Sequence, residues 1–524
     1  MKRIGSFDVS PNGKTIAFDQ TIYSFETNKG NTDIYLIDVD ENNLRSFKTS
    51  EVNESSPKFS PDGRLTFEKD DQIWIADIDG GNEEKLTAIY TGASGIVWAN
   101  DGSKFLFTSS VWPECKTQEC NKEKDEQRSN RGYEADIFDE LLFRHWNHWT
   151  GPKKSHLFLM DLESNEHYDL TLGIETDIPT IALGSSHDYA ISPDGKEAAF
   201  VMNNTGEQAW NTNNDVFIVS LENLEKGKAP KIKKISVSEG NDNQPVYSPD
   251  GEFIAFRSMA RAGFEADKQT LVLYNRESGE LKNISEQYDM SIGQIVWASD
   301  SKTIYFDSGN EVNNSIYSID VESQEVTTLY EPHVNSSLVL ATDNSKIYFK
   351  QQRNDLPYEI FSIELDGENF SQITSVNKEL LSEIEFGEFG TFWSEGAEGA
   401  QVQSIIVTPP FFDPDKKYPL MFLIHGGPQG AWSDDFHYRW NLQMFAAPGY
   451  VVVAPNPRGS TGYGQKFTDE ISQDWGGKVY TDLMKSYDNA LEKFDFIDEE
   501  NTFASGASYG GYMIAWVNGH TDKI

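Results

Sequence analysis

Cysteine, positive charge and long apolar runs are all scarce in this chain of 524 residues, and each scarcity excludes a class of protein. Two cysteines are too few for a disulfide-built scaffold or for the four ligands of a structural zinc site. Lysine and arginine number 44 against 84 aspartates and glutamates, a net charge of −40 that would repel the phosphates of nucleic acid. No apolar run is long enough to span a bilayer. We therefore expect no bound metal and neither a nucleic-acid nor a membrane partner.

A short turn followed by an apolar strand recurs along the first 385 residues. Proline and Asp-Gly supply the fixed φ and the positive φ of a tight hairpin turn. The turns lie at 10–13, 60–63, 100–102, 192–195, 248–251, 299–301 and 342–344. A second alternating segment follows each one, so the pattern predicts seven units of four strands, a seven-bladed β-propeller over 1–385. A pair of β-sandwiches would not explain the sevenfold recurrence.

One interval between turns is too long for a single unit. The excess predicts an insertion in the third blade at about 110–153, and its densest aromatic and charged part is 133–149. Long insertions in repeat proteins often carry function. We expect a helix over this part that caps the propeller near the following domain. The alternative is a helix packed on the blade whose acids are only solvated.

Residues 506–512 contain a G-x-S-x-G sequence centred on Ser508. Small residues around the serine let a strand turn sharply into a helix and hold the hydroxyl clear of both, which is a nucleophile elbow. By itself the pattern also fits a glycine-rich turn without chemistry. Upstream, one apolar strand at 419–424 runs into a glycine loop at 425–428, and another at 450–455 runs into a glycine loop at 456–464. This order of elements predicts an α/β domain over 386–524.

Four motifs within that domain together resemble a known family. They are HGGP at 425–428, NPRGSTGYG at 456–464, DWGG at 474–477 and GASYGGYM at 506–513. In this order and spacing they are similar to those of the prolyl oligopeptidase family of serine peptidases. HGGP is similar to the acylaminoacyl peptidase and dipeptidyl peptidase V branch, since other branches have a tyrosine where His425 stands. The resemblance implies an α/β-hydrolase domain that is truncated at its C-terminus in this chain.

The resemblance also implies a mechanism that needs no cofactor. Ser508 would attack the scissile carbonyl, and the backbone N–H groups of Tyr509 and Gly427 would bind the oxyanion. A histidine oriented by an aspartate would act as the base on strands after the serine, and we expect neither of these two residues in this chain. His520 lies twelve residues along the departing helix, about 18 Å away at ~1.5 Å per residue, and His425 belongs to the oxyanion loop.

Dipeptidyl peptidases of the family use acids on the propeller side to bind the α-ammonium of the substrate. Within the insertion the resemblance points to four acids and one arginine: Glu134, Asp136, Asp139 and Glu140 for the ammonium, and Arg144 for substrate carbonyls. Spacing alone does not choose among these acids, since a helix would place Asp136, Asp139 and Glu140 on one side; we favour Glu140 slightly. The predicted reaction is release of N-terminal dipeptides from short peptides. Acylaminoacyl peptidase or oligopeptidase activity is the alternative within the family, and a non-catalytic propeller binding module with a hydrolase remnant is the alternative outside it.

The two cysteines bear on location. Cys115 and Cys120 lie five residues apart, which fits a small disulfide loop or two free thiols, and we favour the loop. A disulfide indicates an oxidising compartment, so a periplasmic or secreted protein is favoured over a cytoplasmic one. The absence of a signal peptide before the first blade is expected to reflect a trimmed N-terminus. A homodimer through the hydrolase domain is a further expectation.

Overall fold

The computed structural model describes residues 1–39, 43–139 and 141–524. Antiparallel sheets occupy the chain up to Gln372, and a mixed sheet with helices follows from Lys378. Within the described ranges, no helix combines the length and the apolar character that crossing a bilayer demands.

The antiparallel part consists of meanders of four strands, which we name units 1 to 7 in chain order. Unit 1 contains β1 (Lys2–Val9), β2 (Thr15–Ser24), β3 (Lys29–Asp38) and β4 (Asn43–Lys48), and unit 2 contains β5 (Ser55–Phe59), β6 (Leu65–Lys69), β7 (Gln72–Ala76) and β8 (Glu84–Lys85). Unit 3 begins with β9 (Ser94–Trp98) and β10 (Lys104–Val111), is interrupted by α1 (Gln118–Ser129), β11 (Arg144–His145) and β12 (His148–Trp149), and ends with β13 (Lys154–Asp161) and β14 (Glu166–Asp169).

The later units follow the same plan. Unit 4 contains β15 (Tyr189–Ile191), β16 (Glu197–Met202), β17 (Asp215–Ser220) and β18 (Ile232–Lys234), and unit 5 contains β19 (Asp242–Tyr247), β20 (Phe253–Ser258), β21 (Thr270–Asn275) and β22 (Leu281–Asn283). Unit 6 contains β23 (Ile295–Trp297), β24 (Thr303–Asn310), β25 (Asn313–Asp320) and β26 (Val326–Tyr330), and unit 7 contains β27 (Val334–Leu340), β28 (Lys346–Arg353), β29 (Leu356–Glu364) and β30 (Ser371–Gln372). A single parallel pairing, Asn314 with Val334, joins units 6 and 7 into one sheet.

The predicted turns lie between the first and second strands of the units, and all of them have one backbone geometry. The last residue of each turn has a positive φ, and its N–H donates to the carbonyl three residues earlier. The residues at this position, with φ between 56° and 87°, are Gly13, Gly63, Gly102, Gly195, Gly251, Ser301 and Asn344. The predicted positions of these turns are thus confirmed, because the left-handed conformation favours glycine and tolerates asparagine.

Consecutive units are held together by hydrophobic clusters, each of which draws buried residues from two units. Pairs that share a cluster are Ile34 and Phe67, Ile73 and Phe105, Leu106 and Phe200, Val201 and Phe256, Leu271 and Phe306, Ile316 and Phe349, and Phe18 and Ile360. The last pair joins unit 7 to unit 1. Full burial of such a side chain stabilises the fold by about 1.5–3 kcal/mol, so unit 1 and unit 7 depend on each other although they are far apart in sequence.

The insertion in unit 3 is present, but its predicted helix is in the wrong place. The helix is α1, which begins after the N-cap Thr117, whose hydroxyl accepts a hydrogen bond from the Cys120 N–H at 3.2 Å. Residues 134–138 have no regular structure, and β11 and β12 form a short hairpin. The aromatic rings of Phe138, Phe143 and Trp149 instead cluster with centroids 5.8–6.2 Å apart. Nonlocal ring contacts thus override the local pattern that suggested a helix.

The C-terminal part has one mixed sheet between layers of helix. Its elements are α2 (Lys378–Leu381), β31 (Phe389–Glu395), a 3₁₀ turn (Ala397–Gly399), β32 (Gln401–Val407), β33 (Tyr418–Ile424), α3 (Leu442–Ala446), β34 (Val451–Asn456), α4 (Gln465–Asp469), α5 (Lys478–Lys493), β35 (Ile497–Gly506) and α6 (Tyr509–Asn518). The strand order is β31-β32-β34-β33-β35, and β33 is parallel to both of its neighbours. The buried run of β33 alternates faces: Phe422 packs with α5 and α6, and Leu423 packs with α3.

Candidate active site

Ser508 lies at the turn between β35 and α6. Its backbone has φ 57° and ψ −123°, a conformation that is costly for a serine and that accumulates at functional sites. The side chain is exposed, and in the described part of the chain no residue forms a hydrogen bond with its hydroxyl. The turn therefore presents the hydroxyl to whatever occupies the space in front of it, as a nucleophile elbow does.

The two glycines that flank Ser508 are required by lack of space. A Cβ on Gly510 would lie 2.2 Å from the carbonyl oxygen of Ile424, and a Cβ on Gly506 would lie 2.8 Å from the same oxygen. Such distances are far inside van der Waals contact. The two glycines of the G-x-S-x-G pattern are thus required because the start of α6 lies so close to the end of β33.

The HGGP loop lies beside the serine because of the strand register. In the parallel pair β33 and β35, Ile424 is opposite Gly506, so the loops that follow both strands leave the same edge of the sheet. A Cβ built on Gly426 would lie 3.2 Å from the Cβ of Ser508. Gly427, the next residue, has φ 126°, which is accessible to glycine and costly for other residues. At the first position of α6, the N–H of Tyr509 has no acceptor within the helix.

His425 is held in place by both of its ring nitrogens. Nδ1 lies 2.8 Å from the Gly426 carbonyl oxygen, and Nε2 lies 3.0 Å from Ser460 Oγ. Burial lowers the pKa of this imidazole, so the ring is neutral at pH 7. A ring with both nitrogens occupied supports the loop and is not available to take a proton from Ser508.

The DWGG motif supports the helix that follows the serine. The hydroxyl of Tyr509 donates to the Trp475 carbonyl at 2.9 Å, and the two rings meet edge to face at 5.5 Å. A Cβ on Gly476 would lie 2.7 Å from the Trp516 ring. Asp474 accepts a hydrogen bond from the Lys478 N–H at 3.1 Å, next to the start of α5. The motif therefore fixes α6 against α5.

Arg458 of the NPRG sequence ties three segments together. It is 2% exposed, and its Nε donates to Asp482 in α5 at 2.7 Å. Its Nη2 donates to the Ala397 carbonyl at 2.7 Å, and its Nη1 donates to Glu470 at 2.9 Å. A buried guanidinium needs such partners, since an unpaired buried charge is very costly. The motif that we read as a family signature is thus a structural anchor at this residue.

The predicted substrate-binding residues of the insertion lie in different surroundings. Asp136 accepts hydrogen bonds from Arg128 at 2.6 Å and Arg131 at 2.9 Å. The hydrogen bond from Arg131, with the charges of both arginines, lowers the pKa of its carboxyl group. Two arginines already neutralise this carboxylate, which weakens it as a group for binding ammonium.

The other predicted side chains of the insertion have fewer charged partners. Glu134, Asp139 and Arg144 form no ion pair with any residue that the structure describes, and Asp136 and Asp139 line a cavity of about 670 Å³. Glu140 lies outside the described residues. Cys115 and Cys120 form the disulfide that the sequence favoured.

Comparisons with known proteins agree with this geometry. Residues 436–524 match the family model described as the prolyl oligopeptidase family. The dipeptidyl-peptidase 5 of Porphyromonas gingivalis is 28% identical over 532 residues, which cover 100% of this chain and 76% of that protein. The dipeptidyl-peptidase 5 of Trichophyton equinum is 31% identical over 474 residues, which cover 86% of this chain and 64% of that protein. The chain thus spans about two thirds to three quarters of the length of these relatives.

Solved structures with the same fold are also peptidases. The acylaminoacyl peptidase of Pyrococcus horikoshii superposes with a TM-score of 0.77 at 19% identity, over 100% of this chain and 76% of that chain. The dipeptidyl peptidase 4 of Porphyromonas gingivalis superposes with a TM-score of 0.59 at 18% identity, over 98% of this chain and 72% of that chain. At such identities the likeness establishes the fold alone, a β-propeller with an α/β-hydrolase. The predicted resemblance to the prolyl oligopeptidase family is confirmed by the match of residues 436–524 to the model of that family.

Proposed function

We propose that this chain contributes the propeller and the nucleophile of a serine peptidase that cleaves short peptides through an acyl-enzyme. The observation that carries the proposal is the position of the exposed Ser508 against the HGGP loop, at the shared edge of two parallel strands. A binding module with a hydrolase remnant would not need both features.

In the proposed mechanism, Ser508 Oγ attacks the carbonyl carbon of the scissile bond. The resulting oxyanion accepts hydrogen bonds from the backbone N–H groups of Tyr509 and Gly427. A general base takes the Ser508 Oγ proton and passes it to the nitrogen of the amine as the C–N bond breaks, which leaves an acyl-enzyme that water then hydrolyses. No described histidine lies within hydrogen-bond distance of Ser508 Oγ, and Nδ1 of His520 lies 2.7 Å from the Trp516 carbonyl oxygen. The proposal therefore assigns the general base to no residue of this chain.

Short peptides are the proposed substrates because of the propeller. Units 1 to 7, with clusters between all neighbours including the last and the first, support a closed seven-bladed ring. A ring that covers the hydrolase admits a chain that fits its cavity and excludes a folded protein.

We further propose that dipeptides are released from free N-termini. The relatives named dipeptidyl-peptidase 5 and the acids of the insertion support this specificity. An ammonium removed from water needs a carboxylate partner, and a fixed partner would set the distance from the N-terminus to Ser508. With Asp136 occupied by two arginines, Glu134, Asp139 and Glu140 are the remaining candidates. The disulfide between Cys115 and Cys120 supports a secreted or periplasmic location.

The nucleophile is tested with a fluorophosphonate probe and Ser508→Ala in the full-length protein. Wild-type protein should be labelled at Ser508, and the alanine variant should lose labelling and several powers of ten in peptidase rate. Ser505→Ala, the same change three residues earlier in β35, is the matched control and should keep both. Full peptidase activity in Ser508→Ala would refute the assignment.

The N-terminal specificity is tested with paired tetrapeptides that are free or acetylated at the N-terminus. Acetylation removes the charge and should lower kcat/KM by a factor that corresponds to about 1.5–3 kcal/mol of activation free energy, the scale of a charge-assisted hydrogen bond. Asp139→Asn, Glu134→Gln and Glu140→Gln identify the acid, since the correct variant should lose the preference for the free N-terminus. Faster cleavage of acetylated peptides would show an acylaminoacyl peptidase.

A further inference from the structure

A hairpin turn of the propeller penetrates the hydrolase. The turn joins β24 to β25 in unit 6 and consists of Glu311 and Val312. Val312 is 6% exposed and belongs to a hydrophobic cluster whose other buried members are hydrolase residues, among them Leu423 and Val452. The Val312 carbonyl accepts a hydrogen bond from the Asp434 N–H at 2.8 Å. Unit 6 thus supplies part of the hydrolase core.

The same turn lies against the NPRGSTGYG loop at very short range. The Glu311 N–H donates to the Gly462 carbonyl at 2.9 Å. A Cβ on Gly462 would lie 3.0 Å from the Glu311 carbonyl oxygen, and its φ is 91°. This contact requires glycine at position 462 for both space and conformation.

From Glu311 a chain of side-chain hydrogen bonds enters the hydrolase. Gln403 Nε2 donates to Glu311 Oε2 at 3.1 Å, and Gln403 Oε1 accepts from the Tyr463 hydroxyl at 2.7 Å. Gln403 is 3% exposed. Burial, with a smaller contribution from Glu311, raises the pKa of Tyr463, so its phenol stays protonated and able to donate.

The chain continues to the loop that carries the oxyanion donors. Asn456 Nδ2 donates to the Tyr463 hydroxyl and to the Trp432 carbonyl, both at 2.9 Å, and Asn456 Oδ1 accepts from the Trp432 N–H at 2.8 Å. The Trp432 indole N–H donates to the Leu423 carbonyl at 3.1 Å, and its ring packs edge to face on His425 with centroids 6.3 Å apart. Leu423 and Trp432 flank residues 425–428, so this bond closes the oxyanion loop.

The directions of the hydrogen bonds between Glu311 and Trp432 agree when they are followed from either end. A carboxylate can only accept, so Gln403 must turn its amide nitrogen toward Glu311 and its oxygen toward Tyr463. At the other end, the backbone N–H and carbonyl of Trp432 fix the oxygen and the nitrogen of the Asn456 amide. Tyr463 therefore accepts from Asn456 and donates to Gln403. Without Glu311, the Nε2 group of the buried Gln403 loses its acceptor. An unpaired buried donor is costly, so Gln403 shifts and its hydrogen bond with Tyr463 weakens.

We propose that Glu311 is a positioning residue for the peptidase reaction: through Gln403, Tyr463, Asn456 and Trp432, the propeller holds the oxyanion loop in its working geometry. This inference rests on the proposed function. It assigns to the propeller a role in the chemical step itself, beyond restricting which substrates enter. Asn456 and Tyr463 belong to the NPRGSTGYG motif, whereas nothing in the sequence pointed to Glu311 or Gln403.

The test uses Glu311→Ala, Tyr463→Phe and the double variant in the full-length protein. Each single variant should lower kcat about tenfold, the scale of one net hydrogen bond, and change KM less than about twofold, because the oxyanion forms after substrate binding. The double variant should be no slower than the slower single variant, since both substitutions interrupt the same series of hydrogen bonds. Glu311→Gln, which can still accept from Gln403, should restore most of kcat.

Arg261→Gln is the matched control for docking of the two halves. Arg261 of unit 5 pairs with Asp469 in α4 through two hydrogen bonds of 3.0 and 2.9 Å. This contact also joins the propeller to the hydrolase, but it is not part of the series of hydrogen bonds that begins at Glu311. The kcat of Arg261→Gln should equal that of wild type. An unchanged kcat in Glu311→Ala, additive losses in the double variant, or an equal loss in Arg261→Gln would each overturn the inference.

An activity-independent measurement separates this inference from the proposed function. Amide hydrogen exchange over residues 425–434 should become faster in Glu311→Ala and stay as in wild type in Arg261→Gln. If the wild-type protein cleaves no peptide, the proposed function fails, and the exchange experiment still decides whether Glu311 orders the loop. Unchanged exchange in Glu311→Ala would overturn the inference.

Discussion

Glycine serves the two halves of this protein for different physical reasons. In the propeller turns, Gly13 and Gly63 have φ values of 71° and 87°, and a Cβ at either position would meet nothing within 4 Å. At the elbow of the hydrolase, a Cβ on Gly510 would lie 2.2 Å from the Ile424 carbonyl oxygen. The first two glycines are required by backbone conformation, and the third is required by a neighbouring strand.

This difference determines which substitutions each half tolerates. A conformational requirement can be met by another residue, as Ser301 and Asn344 do with φ values of 56° and 59° in the sixth and seventh turns. A spatial requirement cannot be met by a residue other than glycine, because every other residue adds a Cβ. The propeller also has seven such turns, so a substitution in one turn leaves six others intact. The elbow, in contrast, occurs once.

The largest effect is expected from Gly510→Ala. The added methyl group would overlap the end of β33 and displace α6, with a loss of roughly 3 kcal/mol in the free energy of unfolding and of fluorophosphonate labelling at Ser508. Gly511→Ala is the matched control, because its Cβ would meet only the Gly506 carbonyl oxygen, at 3.6 Å, and alanine favours a helix interior. Equal labelling of the two variants would contradict the spatial explanation.

An intermediate effect is expected at Gly462, where both requirements apply. Its φ is 91° and its Cβ would lie 3.0 Å from the Glu311 carbonyl oxygen. We expect Gly462→Ala to lower the free energy of unfolding by about 1–3 kcal/mol, and Gly462→Asn to be no better, because asparagine meets only the conformational requirement. Thermal unfolding measures both, and a rescue by asparagine would show that space is not limiting there.

A smaller effect is expected in the propeller turns. Gly63→Ala should cost about 1 kcal/mol, the penalty of a left-handed residue with a Cβ, and Gly63→Asn should cost clearly less. Thermal unfolding of the two variants side by side gives the comparison. Equal losses in the two variants would mean that backbone conformation is not what requires glycine at position 63. The difference between Gly63 and Gly510 would then disappear.

The smallest effect is expected from the turn carboxylate of Asp101. Hydrogen bonds from the Ser103 backbone N–H and hydroxyl lower the pKa of this group. Its stabilisation is therefore complete above the unfolded pKa of about 3.9 and is lost as the pH falls through the lower folded value. Asp101→Asn should melt slightly below wild type at pH 7, and the difference should shrink as the pH falls below the unfolded pKa of about 3.9, in unfolding curves recorded across that range. A difference that grows on acidification would contradict this sign.

The sequence predicted the local geometry of both halves well. Each propeller turn depends on four residues, and the elbow depends on a strand, a serine and two glycines, so their patterns are complete within short segments. The insertion was predicted less well. Its helix was expected over residues 133–149, whereas the structure has it at Gln118–Ser129, because the aromatic rings and Arg128 with Arg131 make contacts that spacing along the chain does not reveal.

The sequence by itself determined the positions of the turns, the glycine-flanked turn at Ser508 and the order of elements along the chain, since these follow from the backbone sterics of a few neighbouring residues and from alternation along a strand. Only the tertiary structure decided that the carboxylate of Asp136 is bound by two arginines and that Val312 completes the hydrolase core. It also decided that Glu311 begins a series of hydrogen bonds toward the HGGP loop. These three arrangements join residues of separate segments, and burial and hydrogen bonding across such distances depend on how the whole chain packs.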